Sequence, residues 1–236
     1  MNPTPKKTIK HQTISLSHPL HPAVPTWHGN PADYTLTITV DYKDCATRTK
    51  FRAQKISMAT GLGTHIDAPA HCIPGGKTID QIDQHRLIAP LIVIDVSPKA
   101  TKSYRIAQED ILEFEAKHGF LPQHSLICFY TGWSQLWKQP AAYQHFPGLS
   151  ADAATLLVER NPYGIGIDTH SVDILEGDYF PAHEIILGHG CYIVENMNNL
   201  ERIPATGATA IVAPLIIADA TESPAHIIAI MSTITL

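Results

Sequence analysis

The chain has no Cys-x-x-Cys pair, no block of lysine or arginine beyond Lys6-Lys7, no Gly-x-Ser-x-Gly turn and no internal repeat. Each absence removes a class of function. The four cysteines, Cys45, Cys72, Cys128 and Cys191, are too scattered for a zinc knuckle or a disulfide framework. A net charge of −5 without basic clustering gives no electrostatic footprint for nucleic acid. A membrane-spanning helix needs about 20 apolar residues in a row. No such run occurs, and the polar start of the chain lacks the apolar core of a secretion leader. These features point to a cytoplasmic protein whose partner is a small molecule, with no nucleic acid and no membrane. The missing serine elbow argues against serine hydrolase chemistry. Charged residues make up only 17% and hydrophobic ones 44%, enough for 236 residues to bury a core.

Histidine, by contrast, is plentiful, with fourteen in the chain. Two of them, with an aspartate, fall in Gly61-Leu62-Gly63-Thr64-His65-Ile66-Asp67-Ala68-Pro69-Ala70-His71. In an extended segment residues two apart share a face, so His65 and Asp67 project together and Ile66 turns into apolar packing. Nitrogen and oxygen donors so arranged suit a divalent metal. Pro69 cannot donate to a sheet ladder, which stops the strand and turns His71 back toward the same pocket.

Patterning predicts an α/β chain. Short strands are expected at 13–17, 34–40, 51–58, 91–96, 126–130, 164–167, 192–196, 208–215 and 226–230, with 34–40 half-buried by its alternation. Helices are expected at 106–118, ending at Gly119, at 150–160, capped by Ser150, and at 181–188. Residues 1–12 read as a flexible tail and 13–236 as one domain.

The metal stretch resembles the signature H-x-G-T-H-x-D-x-P-x-H of the cyclase family of metal-dependent hydrolases, which includes bacterial kynurenine formamidase and isatin hydrolase. Gly63, Thr64, His65, Asp67, Pro69 and His71 match; the first histidine is replaced by Gly61. Thr131-Gly132-Trp133 and Gly166-Ile167-Asp168-Thr169-His170-Ser171 are similar to further segments of the family, Asp168 reading as a structural residue. His183 and Glu195 keep the family's helix-then-strand setting and twelve-residue separation.

The resemblance implies a swivelling β/β/α domain with a mixed central sheet flanked by helices, and a cyclase-like hydrolase domain over 13–236. It also implies metal ligands His65, Asp67, His183 and Glu195, with zinc ahead of manganese. Because Gly61 has no side chain to coordinate, one ion is expected rather than two, with His28 a nearby candidate to fill the gap. Trp27, in a loop resembling P-x-W-x-G, is the implied substrate-binding residue, and a homodimer or higher homo-oligomer the implied assembly. The expected reaction is cleavage of a C–N amide bond, arylformamidase-like, by hydroxide at the metal. His71, close by but not needed as a ligand, is the expected proton shuttle. Cyclic amides, imides or lactones form the alternative substrate class, and a binding protein without catalysis the alternative of another kind.

Overall fold

The structure is a computed structural model and describes residues 8–27, 29, 33–175 and 177–235. Its strands are β1 (Thr8–Ser15), β2 (Tyr34–Val40), β3 (Ala53–Met58), β4 (His65–Asp67), β5 (Ile88–Asp95), β6 (Arg105–Ile106), β7 (Leu126–Tyr130), β8 (Gly148–Leu149), β9 (Gly164–Ile167), β10 (Tyr192–Glu195), β11 (Ala208–Pro214) and β12 (Glu222–Thr235). The α-helices are α1 (Gln108–His118), α2 (Pro140–Tyr143), α3 (Ala151–Glu159) and α4 (Pro181–Gly188).

The large sheet runs β1-β12-β11-β5-β7-β9-β10-β4. Its central strands β5, β7, β9 and β10 are parallel, and the others join antiparallel. The α/β class and mixed sheet expected from the sequence are both present. One further pairing, of β4 with the start of β12, closes the strands into a circuit. No described helix is long and apolar enough to cross a membrane.

The central strands are apolar on both faces because each face is covered. Ile92 and Ile94, Ile127 and Phe129, Ile165 and Ile167, and Ile193 pack beneath α1, α3 and α4. Their alternates Leu91 and Val93, Leu126 and Cys128, Tyr192 and Val194 face a second core, which also takes in Ile66 from β4. Ser150 caps α3 by accepting from the Ala153 amide at 3.1 Å, as expected, and Gly119 ends α1 with φ +90°.

Three expectations change. β1 starts at Thr8, inside the stretch read as tail, because residues 8–12 pair with the end of β12, a partner invisible to local patterning. β2 pairs with β3 as a separate hairpin whose middle is exposed on both faces, not half-buried. β12 begins at Glu222, before the strand expected at 226–230, since Thr221-Glu222-Ser223-Pro224 has the composition of a turn but pairs with β4.

Candidate metal centre

β4 carries the site, and its two neighbours complete it. Opposite residues in an antiparallel pair share a face, with Cβ atoms about 5 Å apart. Glu195 of β10 stands opposite His65, and Glu222 of β12 stands opposite Asp67. α4 supplies His183 from its first turn. The structure thus brings together all four ligand residues expected from the sequence, although they lie 130 positions apart.

Hydrogen bonds fix the two imidazoles. His65 Nδ1 lies 2.8 Å from the Gly63 carbonyl, which can only accept, so Nδ1 carries the proton. In the neutral ring this leaves the Nε2 lone pair pointing at Asp67 Oδ1, 3.4 Å away, and Glu195 Oε2, 3.5 Å away. His183 is held the same way by Asp173, whose Oδ2 accepts from Nδ1 at 2.7 Å. Its Nε2 lies 3.4 Å from Glu195 Oε1 and 3.8 Å from Asp67 Oδ2. Asp173 also accepts from the backbone amides of Ala182 and His183 at 2.8 and 2.9 Å, so one carboxylate both caps α4 and sets its histidine's tautomer.

Asp67 is 1% exposed, and neither of its carboxylate oxygens accepts a hydrogen bond from a described residue. A buried carboxylate in that condition is costly unless something cationic meets it. Burial, and then the Asp67 charge, push the Glu195 carboxyl well above its usual range. Among the described residues, two donor groups have their atoms within 4.8 Å of one another: Asp67, His183 and Glu195, and His65, Asp67 and Glu222. Imidazole nitrogen with carboxylate oxygen is a donor set that suits zinc or manganese, so the residues fit the implied metal.

A cavity of about 570 Å³ opens over these donors. Trp27, Phe180 and His170 form its aromatic wall, with Trp27 at 6.1 Å from the Phe180 ring and 6.4 Å from the His170 ring. His71 lines the same cavity, its ring 5.9 Å from that of His183 and its Nδ1 3.9 Å from Glu222 Oε2. It belongs to neither donor group. Cys72 beside it is also outside both groups, its thiol pushed up to about 11 by desolvation and by the Glu184 carboxylate. His28 lies outside the described residues.

Residues 14–174 match the model of the Cyclase family, described as "Putative cyclase". The chain belongs to the cyclase family. An isatin hydrolase of Roseibium aggregatum is 34% identical over 188 residues, which cover 72% of this chain and 71% of that one. A kynurenine formamidase of Bacillus cytotoxicus is 29% identical over 91% of this chain and 95% of its own. The structure of isatin hydrolase A from Labrenzia aggregata, bound to benzyl benzoate, superposes with a TM-score of 0.84 at 29% identity, covering 94% of both chains.

Three residues of this cyclase-family site were not found in the sequence. Asp173 has no periodic relation to His183, and Glu222 sits in a turn-like tetrapeptide. His170 lay in a segment read for Asp168. Asp168 does hold structure: it accepts from the Thr131 amide and hydroxyl and from the Ser134 amide. His170 is a buried imidazole held neutral, its pKa lowered to about 3 by burial and then by His65.

Proposed function

We propose that this chain is a metal-dependent hydrolase that opens the C–N bond of an amide whose nitrogen is borne by an aromatic ring. Its substrate is either an open aryl formamide or a cyclic counterpart such as isatin. The observation that carries this reading is the unpartnered, buried Asp67 carboxylate at the centre of converging imidazole and carboxylate donors. Family membership supports it, since the relatives named above act on both substrate types.

His65, Asp67, His183 and Glu195 would hold the divalent metal, zinc or manganese. When bound, such a cation supplies Lewis acidity to a water and to a carbonyl oxygen. The remaining work falls to the protein. Trp27, Phe180 and His170 offer flat faces and edges for the substrate ring, and a neutral His170 adds no charge that would disfavour it. Asp173 keeps the His183 proton on Nδ1 and its lone pair on the donor side. Asn196 fixes the motif backbone, donating through Nδ2 to the Gly63 carbonyl at 3.0 Å. His71, at the cavity wall and one-third exposed, delivers a proton to the leaving nitrogen and recovers it from solvent.

Purified protein reconstituted with zinc or manganese should hydrolyse isatin, an aryl formamide, or both, followed by loss or gain of aromatic absorbance. Aliphatic amides should turn over far more slowly because they leave the aromatic wall unfilled. Absence of turnover on the whole aryl amide panel would favour the binding-protein alternative.

We further infer a homodimer. Trp27 lines the cavity. Exposed apolar side chains lie instead on the hairpin, where Leu36 stands opposite Ile56 and Ile38 follows on the same face. The base of the hairpin, Tyr34 and Met58, packs beside Leu62 and Trp27, so the interface would adjoin the cavity. A Leu36→Asp/Ile56→Asp variant is expected to halve the mass measured by light scattering. A wild-type monomer at micromolar concentration would refute the inference.

A further inference from the structure

Gly61 stands where the family motif carries a histidine, and glycine offers a cation nothing. The space beside it is nevertheless filled. A Cβ built on Gly61 would overlap Glu222 Oε1, and would lie 3.1 Å from Glu222 Cδ and 3.5 Å from His65 Nε2. The Glu222 carboxylate therefore occupies the volume that a side chain at position 61 would need, against the nitrogen that His65 presents to the donors. Strand register puts it there, since Glu222 pairs directly with Asp67. Its Oε2 accepts weakly from Thr60 Oγ1 at 3.3 Å, which leaves Oε1 toward Gly61 and His65. Independently, the buried Asp67 carboxylate lacks any hydrogen-bond donor among the described residues, and it belongs to the donor group that contains Glu222.

We propose that Glu222 is a metal ligand of this chain, holding a second divalent cation with His65 and Asp67 at the position that Gly61 alone would leave short of a donor, in place of the single ion expected from the sequence. The inference rests on the metal-dependent reading above. A neutral nitrogen from the start of the motif is exchanged for a charged oxygen from the far end of the chain. Gly61 and Glu222 form a matched pair, because any Cβ at 61 displaces the carboxylate. The exchange adds negative charge and oxygen character, which shifts preference toward harder ions such as manganese.

The test uses the full chain, stripped by chelator and titrated calorimetrically with Mn²⁺, with elemental analysis of the dialysed product. Glu222→Ala is expected to lose one equivalent of Mn²⁺ or weaken it at least about tenfold, since even supporting partners of ligands cost that much. Gly61→Ala should show the same loss without touching a ligand, and covers the case in which Glu222→Ala fails to fold. Gly61→His/Glu222→Ala should regain the equivalent and shift its preference toward zinc. His183→Ala should spare the Glu222 position and lose the other. If Glu222→Ala and Gly61→Ala both bind Mn²⁺ as wild type does, while His183→Ala is impaired, Glu222 is not a ligand and the metal reading survives. If wild type binds neither Mn²⁺ nor Zn²⁺, both fall together.

Discussion

Asp67→Asn is expected to abolish metal binding and, in chelator, to melt at a higher temperature than the wild type. Asp67 belongs to both donor groups, so its loss strikes every position at once. In the metal-free protein its carboxylate is buried, makes no hydrogen bond with a described residue, and lies close to the Glu195 carboxylate. An asparagine of the same shape removes a buried charge beside the Glu195 carboxyl. Its amide can also donate to the His65 Nε2 lone pair or to Glu195. A buried polar group left unpaired costs about 1–3 kcal/mol, and a charged one more, so the stabilisation should be of that size. For a chain of this length that is a rise of roughly 2–10 °C. Calorimetry in chelator and elemental analysis decide the matter. An Asp67→Asn protein that keeps its metal, or melts lower without it, would show that the carboxylate has protein partners after all.

His71→Ala is expected to keep its metal and lose about 10²–10⁴ in kcat, the usual worth of a positioned acid or base. The proposed role rests on where the residue lies. Its ring lines the cavity beside His183 but joins neither donor group, and its side chain is 33% exposed, which lets it exchange protons with solvent. KM should change little, because the aromatic wall proposed to hold the substrate ring is made by other residues. Parallel measurements of kcat and metal content separate the alternatives: if the metal leaves with the imidazole, His71 is a ligand. A kcat within threefold of wild type would move the proton transfer elsewhere.

What the sequence revealed and what it hid follow one physical division. His65, Asp67 and the turn at Pro69 were legible because period-two projection and a missing proline donor are local properties. His183 and Glu195 needed the resemblance, since a helix-start histidine and a strand-end acid have ordinary uses when read alone. Buried strands such as β7 were plain from unbroken apolar runs, because covering both faces leaves no alternation to misread. Glu222 was hidden for the opposite reason. Pro224 made its neighbourhood look like a turn, and only the pairing of β12 with β4 brings it to Asp67. Asp173 was hidden because a carboxylate that caps a helix from well back in the preceding loop, away from the usual cap position, has no spacing rule. The exposure of β2 was misjudged because alternation reports which residues share a face, not whether anything covers that face.

The closure of the strands through β4 and β12 also orders events in time. Contacts between residues near 66 and residues near 223 require one of the longest loops the chain can make, and such contacts come late because the entropy of closing them is lost before they repay it. Glu222 joins His65 and Asp67 only through that pairing, whereas Glu195 reaches them through β10. A cation held by Glu222 as well as His65 and Asp67 would act as a latch, drawn in once the circuit has shut and slowing its reopening thereafter.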